Sequence, residues 1–378
     1  TTPGNQPLFN YLLENHKDGQ LSEEQVLTVS RQLLAEGADP EAIDPDDGLR
    51  PIQHALLQRL PAVSAELLPR IKETEGVLWT AIENEDYGAV RKLIELGADV
   101  HSVRMDCETP ITAMVRANQP DMIKFLLDRG AAPLQLAPEG QAPIPMAIAL
   151  ANEEAAIALI EHEKAPEPDT YLITPASIEY RDHYRKKYGQ FDFYTRKSRL
   201  RQVTPLMAAV MMNQQDVVLK LIEKGANRTA GTAPIRVYPI QMAAVNKNVP
   251  MQQILIGVPW QDDQQERHFV INLAKQRVTF FKGDEVIKTS SISSGRQSHP
   301  TEPGRFVITD KTKMNYSNLY GGSEMPYFQR FSCTAVGFHQ GALPGYPASH
   351  GCIRLPMSTA KFFYQQSKLG DRVEIVSK

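Results

Sequence analysis

The sequence predicts two fold classes in one chain: an N-terminal α-helical repeat solenoid over residues 1–260 and a mostly-β domain over residues 266–378. Two observations carry this reading. Loop signatures recur at intervals of 33–34 residues through the first part. Near "GVPWQDDQQERHF" the hydrophobic pattern then changes from helical spacing to strict alternation. Charge divides along the same line. Residues 266–378 hold 15 Lys+Arg against 8 Asp+Glu, a net +7, while the preceding residues sum to −10. Such a dipolar chain suggests parts with different partners, or parts that attract each other.

In the first part, "EGADP" at Glu36, "LGADV" at Leu96, "RGAAP" at Arg129 and "KGANR" at Lys224 each follow an apolar helical stretch. A second signature places proline before an aliphatic residue: "RPIQHAL", "TPITAMV", "APIPMAI", "TPLMAAV" and "YPIQMAA". Proline suits a first helical turn, where its missing N–H had no intrahelical partner. Glycine after the apolar run supplies a left-handed helix end without a Cβ penalty. Stretches such as "DMIKFLLDRG" give a single apolar stripe that only a neighbouring repeat can bury. These residues resemble the ankyrin repeat, of which about six copies fit, some degenerate. By that resemblance the array offers a concave face to a protein partner, and chemistry is expected downstream.

The spacing stretches to 62 between Pro143 and Pro205, around a basic, aromatic insertion at about 165–202. Eight Lys+Arg lie between Arg181 and Arg201, interleaved with Tyr180, Tyr184, Tyr188, Phe191, Phe193 and Tyr194. It reads as a degenerate repeat with a solvated helix, or as a surface for an anionic or sugar-bearing ligand. No apolar run approaches the ~20 residues that span a bilayer, so no transmembrane segment is expected. No nucleic-acid motif is present, and nucleic acid is not expected as a partner. Three cysteines, Cys107, Cys333 and Cys352, are too few for a disulfide framework.

The second part reads as strands at "HFVINLA", "QRVTFFKGDEVIKTSSIS", "GRFVITDK" and "DRVEIVS", with a hairpin turn at Lys282–Asp284. A helix is expected at "PMSTAKFFYQQSKLG", with Gly370 as its C-cap. The segment "GFHQGALPGYPASHGCIRLP" places His339, His350 and Cys352 within fourteen residues. A zinc site would need a further soft ligand, for which only Cys333 lies near, in a stretch that reads as a buried strand. No CxxC is present, which speaks against a redox role. A thiol is a usable nucleophile as thiolate, and an imidazole neighbour assists its formation.

"ASHGCIRLP", with His339 thirteen residues before Cys352, resembles the L,D-transpeptidase catalytic domain of YkuD type. "FVINLAKQRVTFFKGDEVIKTSSISSG" and "MNYSNLYGGSEMPYF" match that family's first strands and its substrate-side segment. "TEPGRF" and Gln340 depart from the family's commoner residues. The resemblance implies Cys352 as nucleophile and His339 as base, its tautomer held by a main-chain or side-chain acceptor. His350 is expected to brace the loop, although spacing alone leaves it open as the base. Backbone N–H groups at Gly351 and Cys352 are expected to form an oxyanion hole, with Ser349 bonding locally. Arg354 is read as meeting a substrate carboxylate or holding the loop. Tyr316, Met325 and Tyr327 are read as substrate-binding.

The implied reaction is cleavage before the terminal D-alanine of a peptidoglycan tetrapeptide stem, through a thioester, with transfer to an amine acceptor in a 3→3 cross-link. The same site would serve as an L,D-carboxypeptidase with water as acceptor, or would attach a protein to the wall. A different class is a non-catalytic ankyrin scaffold, and a third reading has the array covering the cleft. The resemblance implies no metal or diffusible cofactor. It implies a periplasmic location, with an export signal removed.

Overall fold

The structure is a computed structural model that describes residues 7–17, 21–106, 108–137, 142–169, 203–232, 236–258, 267–317, 321–332 and 336–378. Its residues divide into two compact units, Thr1–Pro166 and Glu167–Lys378. The insertion at about 165–202, Cys107 and Cys333 lie almost wholly or wholly outside the described residues.

The first unit is built from helices α1 (Leu8–Lys17), α2 (Glu23–Ala35), α3 (Pro51–Leu57), α4 (Pro61–Leu67), α5 (Glu75–Glu83), α6 (Tyr87–Glu95), α7 (Pro110–Arg116), α8 (Pro120–Asp128), α9 (Pro143–Ala149) and α10 (Glu153–Glu161). Proline opens α3, α7 and α9 as the sequence signature predicts, and also α4 and α8. Gly97 and Gly130, at φ +102° and +103°, supply the left-handed turns that end α6 and α8. Thr109 caps α7 reciprocally: its Oγ1 accepts from Thr112 N–H, and its own N–H donates to Thr112 Oγ1. The helices bury one stripe each, such as Ala89, Val90, Leu93 and Ile94 on α6. Each large apolar side chain so buried contributes about 1.5–3 kcal/mol.

The described residues of the second unit include two helix pairs, α11 (Pro205–Met212) with α12 (Gln215–Glu223) and α13 (Pro239–Val245) with α14 (Val249–Leu255). Strands β1 (Arg267–Asn272), β2 (Arg277–Lys282), β3 (Glu285–Ser291), β4 (Gly304–Tyr316), β5 (Glu324–Phe331), β6 (Gly337–Gln340), β7 (Ile353–Leu355) and β8 (Arg372–Val376) follow, with helix α15 (Met357–Gln366) between β7 and β8. They form one mixed sheet in the order β3-β2-β1-β8-β4-β5-β6-β7. β1 with β8 and β6 with β7 run parallel; the other pairs are antiparallel.

Alternation puts Phe269 and Ile271, Val373 and Ile375, and Ile353 and Leu355 on one covered face. Phe363 of α15 lies on that face, its ring 5.0 Å from Phe269 and 5.7 Å from Phe338. The helix stops at Gln366, with Ser367 as its cap, rather than at Gly370. Gly370, at φ +87°, makes the turn into β8, and its N–H donates to Ile308 O at 2.9 Å.

The last helix pair belongs to this packing. Ala244 of α13 joins the hydrophobic core of the sheet. On α14, buried Gln252 donates from Nε2 to Arg305 O at 3.1 Å and accepts from Ser332 Oγ at 2.5 Å. Gln253 donates to Gly370 O at 2.9 Å. Two buried amides thus bond main-chain carbonyls of the β-rich part. Among the described residues, no helix is long and apolar enough to cross a membrane.

Candidate active site

Strands β6 and β7 set the site. Their parallel register pairs His339 with Arg354, and two residues earlier brings Gly337 beside Cys352, whose thiol Gly337 meets through a backbone hydrogen bond. Glycine is required at 337, because a Cβ there would lie 2.2 Å from Gln329 O on β5. A cleft of ≈ 650 Å³ opens along β4, β5 and β6, and its lining includes His339, Ser349, His350, Cys352 and Arg354.

Hydrogen bonds from a distant segment fix the loop before β7. Arg354 exchanges both backbone bonds with Ser293, at 3.0 and 3.1 Å, and Ser349 N–H donates to Ser294 O at 2.9 Å. Ser293 Oγ donates to Tyr346 O and accepts from Ala348 N–H. Thr301 Oγ1 accepts from Gly295 N–H at 2.8 Å and donates to Gly351 O at 2.7 Å. Gly351 takes φ +111°, which a residue with a Cβ rarely adopts. Cys352 is therefore held from both sides, by Thr301 before it and Ser293 after it.

His339 is buried, 8% exposed, and its Nδ1 lies 2.7 Å from Gln340 O. A carbonyl only accepts, so Nδ1 carries the proton and Nε2 is the basic nitrogen. The side chain at 340 takes no part in this bond, which explains why glutamine is tolerated there. Burial pushes the Cys352 thiol above its ordinary value, opposed by the Gly337 hydrogen bond and the charges of Arg330 and Arg354. Burial lowers His339 below the ordinary imidazole value, the Gln340 bond opposes this, and the charge of Arg354 adds to it. Both directions favour the uncharged forms of thiol and imidazole.

His350 lies in another setting. Arg296 Nη2 approaches its Nε2 at 2.6 Å, and since guanidinium only donates, Nε2 accepts. The His299 ring stands edge-on at 5.0 Å. Desolvation lowers His350, with the charges of Arg296, His299 and Arg354 acting in the same direction. Nε2 of His350 is thus occupied by Arg296, a residue 54 positions away in the chain.

Met325 lines the cleft. Tyr316 and Tyr327 are not among its lining residues. Asn315 and Ser317 face the cleft, so alternation turns Tyr316 outward, where it is 56% exposed. Tyr327 adopts φ +54°, and its ring packs on Tyr364 of α15 at 5.6 Å. Sequence reasoning missed Arg330, which lines the cleft on β5 with Asp310 Oδ2 2.7 Å from its Nε and Phe328 beneath its guanidinium. Alternation from Phe328 was the available signal. Thr301 and Arg296 gave no local signal, since Gly351 and His350 lie 50 and 54 residues away.

Residues 266–375 match a family model described as the L,D-transpeptidase catalytic domain. Residues 78–171 match three ankyrin-repeat copies and 201–233 a single ankyrin repeat. L,D-transpeptidase 2 of Mycobacterium tuberculosis is 29% identical over 109 residues, 25% of this chain and 27% of that protein, so the chain spans about a quarter of that relative's length. Among solved structures, an L,D-transpeptidase from Mycobacterium smegmatis is 21% identical over 30% of this chain and 59% of its own, with a TM-score of 0.28. One from Stackebrandtia nassauensis is 19% identical over 53% of this chain and 92% of its own, also at 0.28. Ankyrin repeats thus precede, at residues 266–375, a member of the L,D-transpeptidase catalytic-domain family.

Proposed function

We propose that this chain is a cysteine L,D-transpeptidase acting on peptidoglycan tetrapeptide stems. The observation that carries the reading is the single-tautomer His339, locked by Gln340 O, in one cleft with Cys352. The uncharged forms of both groups favour general-base attack over a preformed thiolate. As Cys352 sulfur bonds to the stem carbonyl carbon, its proton passes to His339 Nε2. Backbone N–H groups at Gly351 and Cys352 meet the developing oxyanion. The amide C–N bond breaks, His339 returns the proton to the departing D-alanine nitrogen, and a thioester remains. An amine of a second stem, deprotonated by His339, then takes the acyl group and restores the thiol. Water or a protein amine as acceptor would give hydrolysis or protein attachment at the same site. Arg354 sits where it can meet a donor carboxylate.

Such a substrate calls for action in the periplasm, and the ankyrin repeats suggest a protein partner. Intact-mass measurement after carbapenem treatment tests the core of this reading. A single covalent adduct is expected on the intact chain and none on Cys352→Ala, together with D-alanine release from tetrapeptide muropeptides by the intact chain alone. A chain that forms no adduct and releases no D-alanine would leave the scaffold reading.

A further inference from the structure

We propose that Asp44, Asp47 and His54, in the first Pro-led repeat, form a binding site for a divalent transition ion, with Zn2+ as the ion their chemistry suits. One donor atom from each of these residues lies within 4.8 Å of the other two. His54 Nε2 and Asp47 Oδ2 are 3.5 Å apart. Zinc bonds of 2.0–2.2 Å hold tetrahedral donors roughly 3.3–3.6 Å from one another, so this pair already has ligand spacing, and the other separations, within 4.8 Å, would close on binding. Two carboxylates and one imidazole form a borderline-hard set that leaves a fourth position for water.

The second observation concerns the imidazole. The His54 side chain is 9% exposed, and its Nε2 is buried with no hydrogen-bond partner among the described residues. Asp47 at 3.5 Å stands beyond ordinary hydrogen-bond length. A buried ring nitrogen 3.5 Å from one carboxylate, with no hydrogen-bond partner among the described residues, is incompletely satisfied by protein alone. Asp47 accepts from Leu49 N–H with Oδ1, which leaves Oδ2 on the His54 side.

Repeat register sharpens the case. Three residues after the helix-opening proline, where this repeat has His54, the others have Ala113, Met146, Ala208 and Met242. Seven residues before that proline, where this repeat has buried Asp44, others have Val103, Leu136 and Thr232. Asp47 has a counterpart in Asp106, but that carboxylate is bound by Arg104. In this repeat alone among those compared, all three positions carry ligand types.

The full chain, stripped of metal, should bind one equivalent of Zn2+ in calorimetric titration and melt at a higher temperature with the ion present. The thiol cleft is itself a plausible zinc ligand, so the titration is run on Cys352→Ala. One equivalent should remain there and weaken at least roughly ten-fold on adding Asp47→Asn or His54→Gln. Asp47 is exposed, so its amide variant should fold, which circular dichroism of the metal-free chain checks. Absence of zinc binding by Cys352→Ala, or an affinity unchanged by both substitutions, would overturn the site.

Discussion

Two buried threonines show how differently the helical repeats and the catalytic domain are held. Thr109 closes a circuit with Thr112, three residues away, and fixes nothing beyond its own helix end. Thr301 links Gly295 to Gly351, fifty residues beyond the threonine itself, and so fixes the peptide that precedes Cys352. In the repeats, side chains complete local structure, and apolar stripes supply the cohesion. In the catalytic domain, polar side chains hold together main-chain segments that are distant in sequence. A loss in the first setting is felt as stability, and in the second as geometry.

The largest effect is expected at His339. Replacement by Gln should lower kcat/KM for D-alanine release by roughly 10²–10⁴-fold with little change in melting temperature. A comparable fall in melting temperature would make His339 a structural residue. The pH profile of the intact enzyme follows from the same environment. Because burial lowers His339, activity should persist on the acid side below the ordinary imidazole value. Because burial raises the thiol, the alkaline rise in iodoacetamide alkylation of the free enzyme should fall above the ordinary thiol value. A midpoint near neutrality would indicate a preformed ion pair instead.

Thr301→Val tests the comparison directly. It removes both bonds at nearly constant volume and should lower kcat by roughly 10- to 100-fold through displacement of Cys352. Thr109→Val should cost about 1 kcal/mol in denaturant unfolding and leave turnover of small muropeptides unchanged. Equal behaviour of the two variants would break the distinction. Gln252→Ala orphans the Arg305 carbonyl and a partner of Ser332, and should destabilise by about 1–3 kcal/mol. The same contacts predict that a chain beginning at Arg267 melts lower than the full chain. Gln340→Ala should be the mildest, within about two-fold of the parent rate, since only the main-chain oxygen holds His339.

The helical pattern was legible because its determinants are local. Proline at the start of α7 and glycine after α8 each act within a turn, so spacing alone located them. The outer strands were legible by alternation. The end of α15 was not, because Gly370 serves contacts with β4 and Gln253 rather than its own helix. At the site, Cys352, His339 and Arg354 stood out as chemical types in a short motif. The position of the tyrosines was not legible: alternation turns Tyr316 outward, and the left-handed backbone of Tyr327 gives no sequence signal. Thr301 and Arg296 were invisible because each acts only through a pairing made by the finished sheet.

His339 stands on β6, and the chain that follows it, residues 341–352, leaves the sheet and returns at β7, with Cys352 the last residue before that strand. Its anchors are Gly341 at one end and residues 346–352 at the other, where Ser293, Ser294 and Thr301 grip it. The short stretch 342–345 carries none of these ties. Exchanging that rim segment alone should therefore leave Cys352 and His339 to the ties and strands that position them.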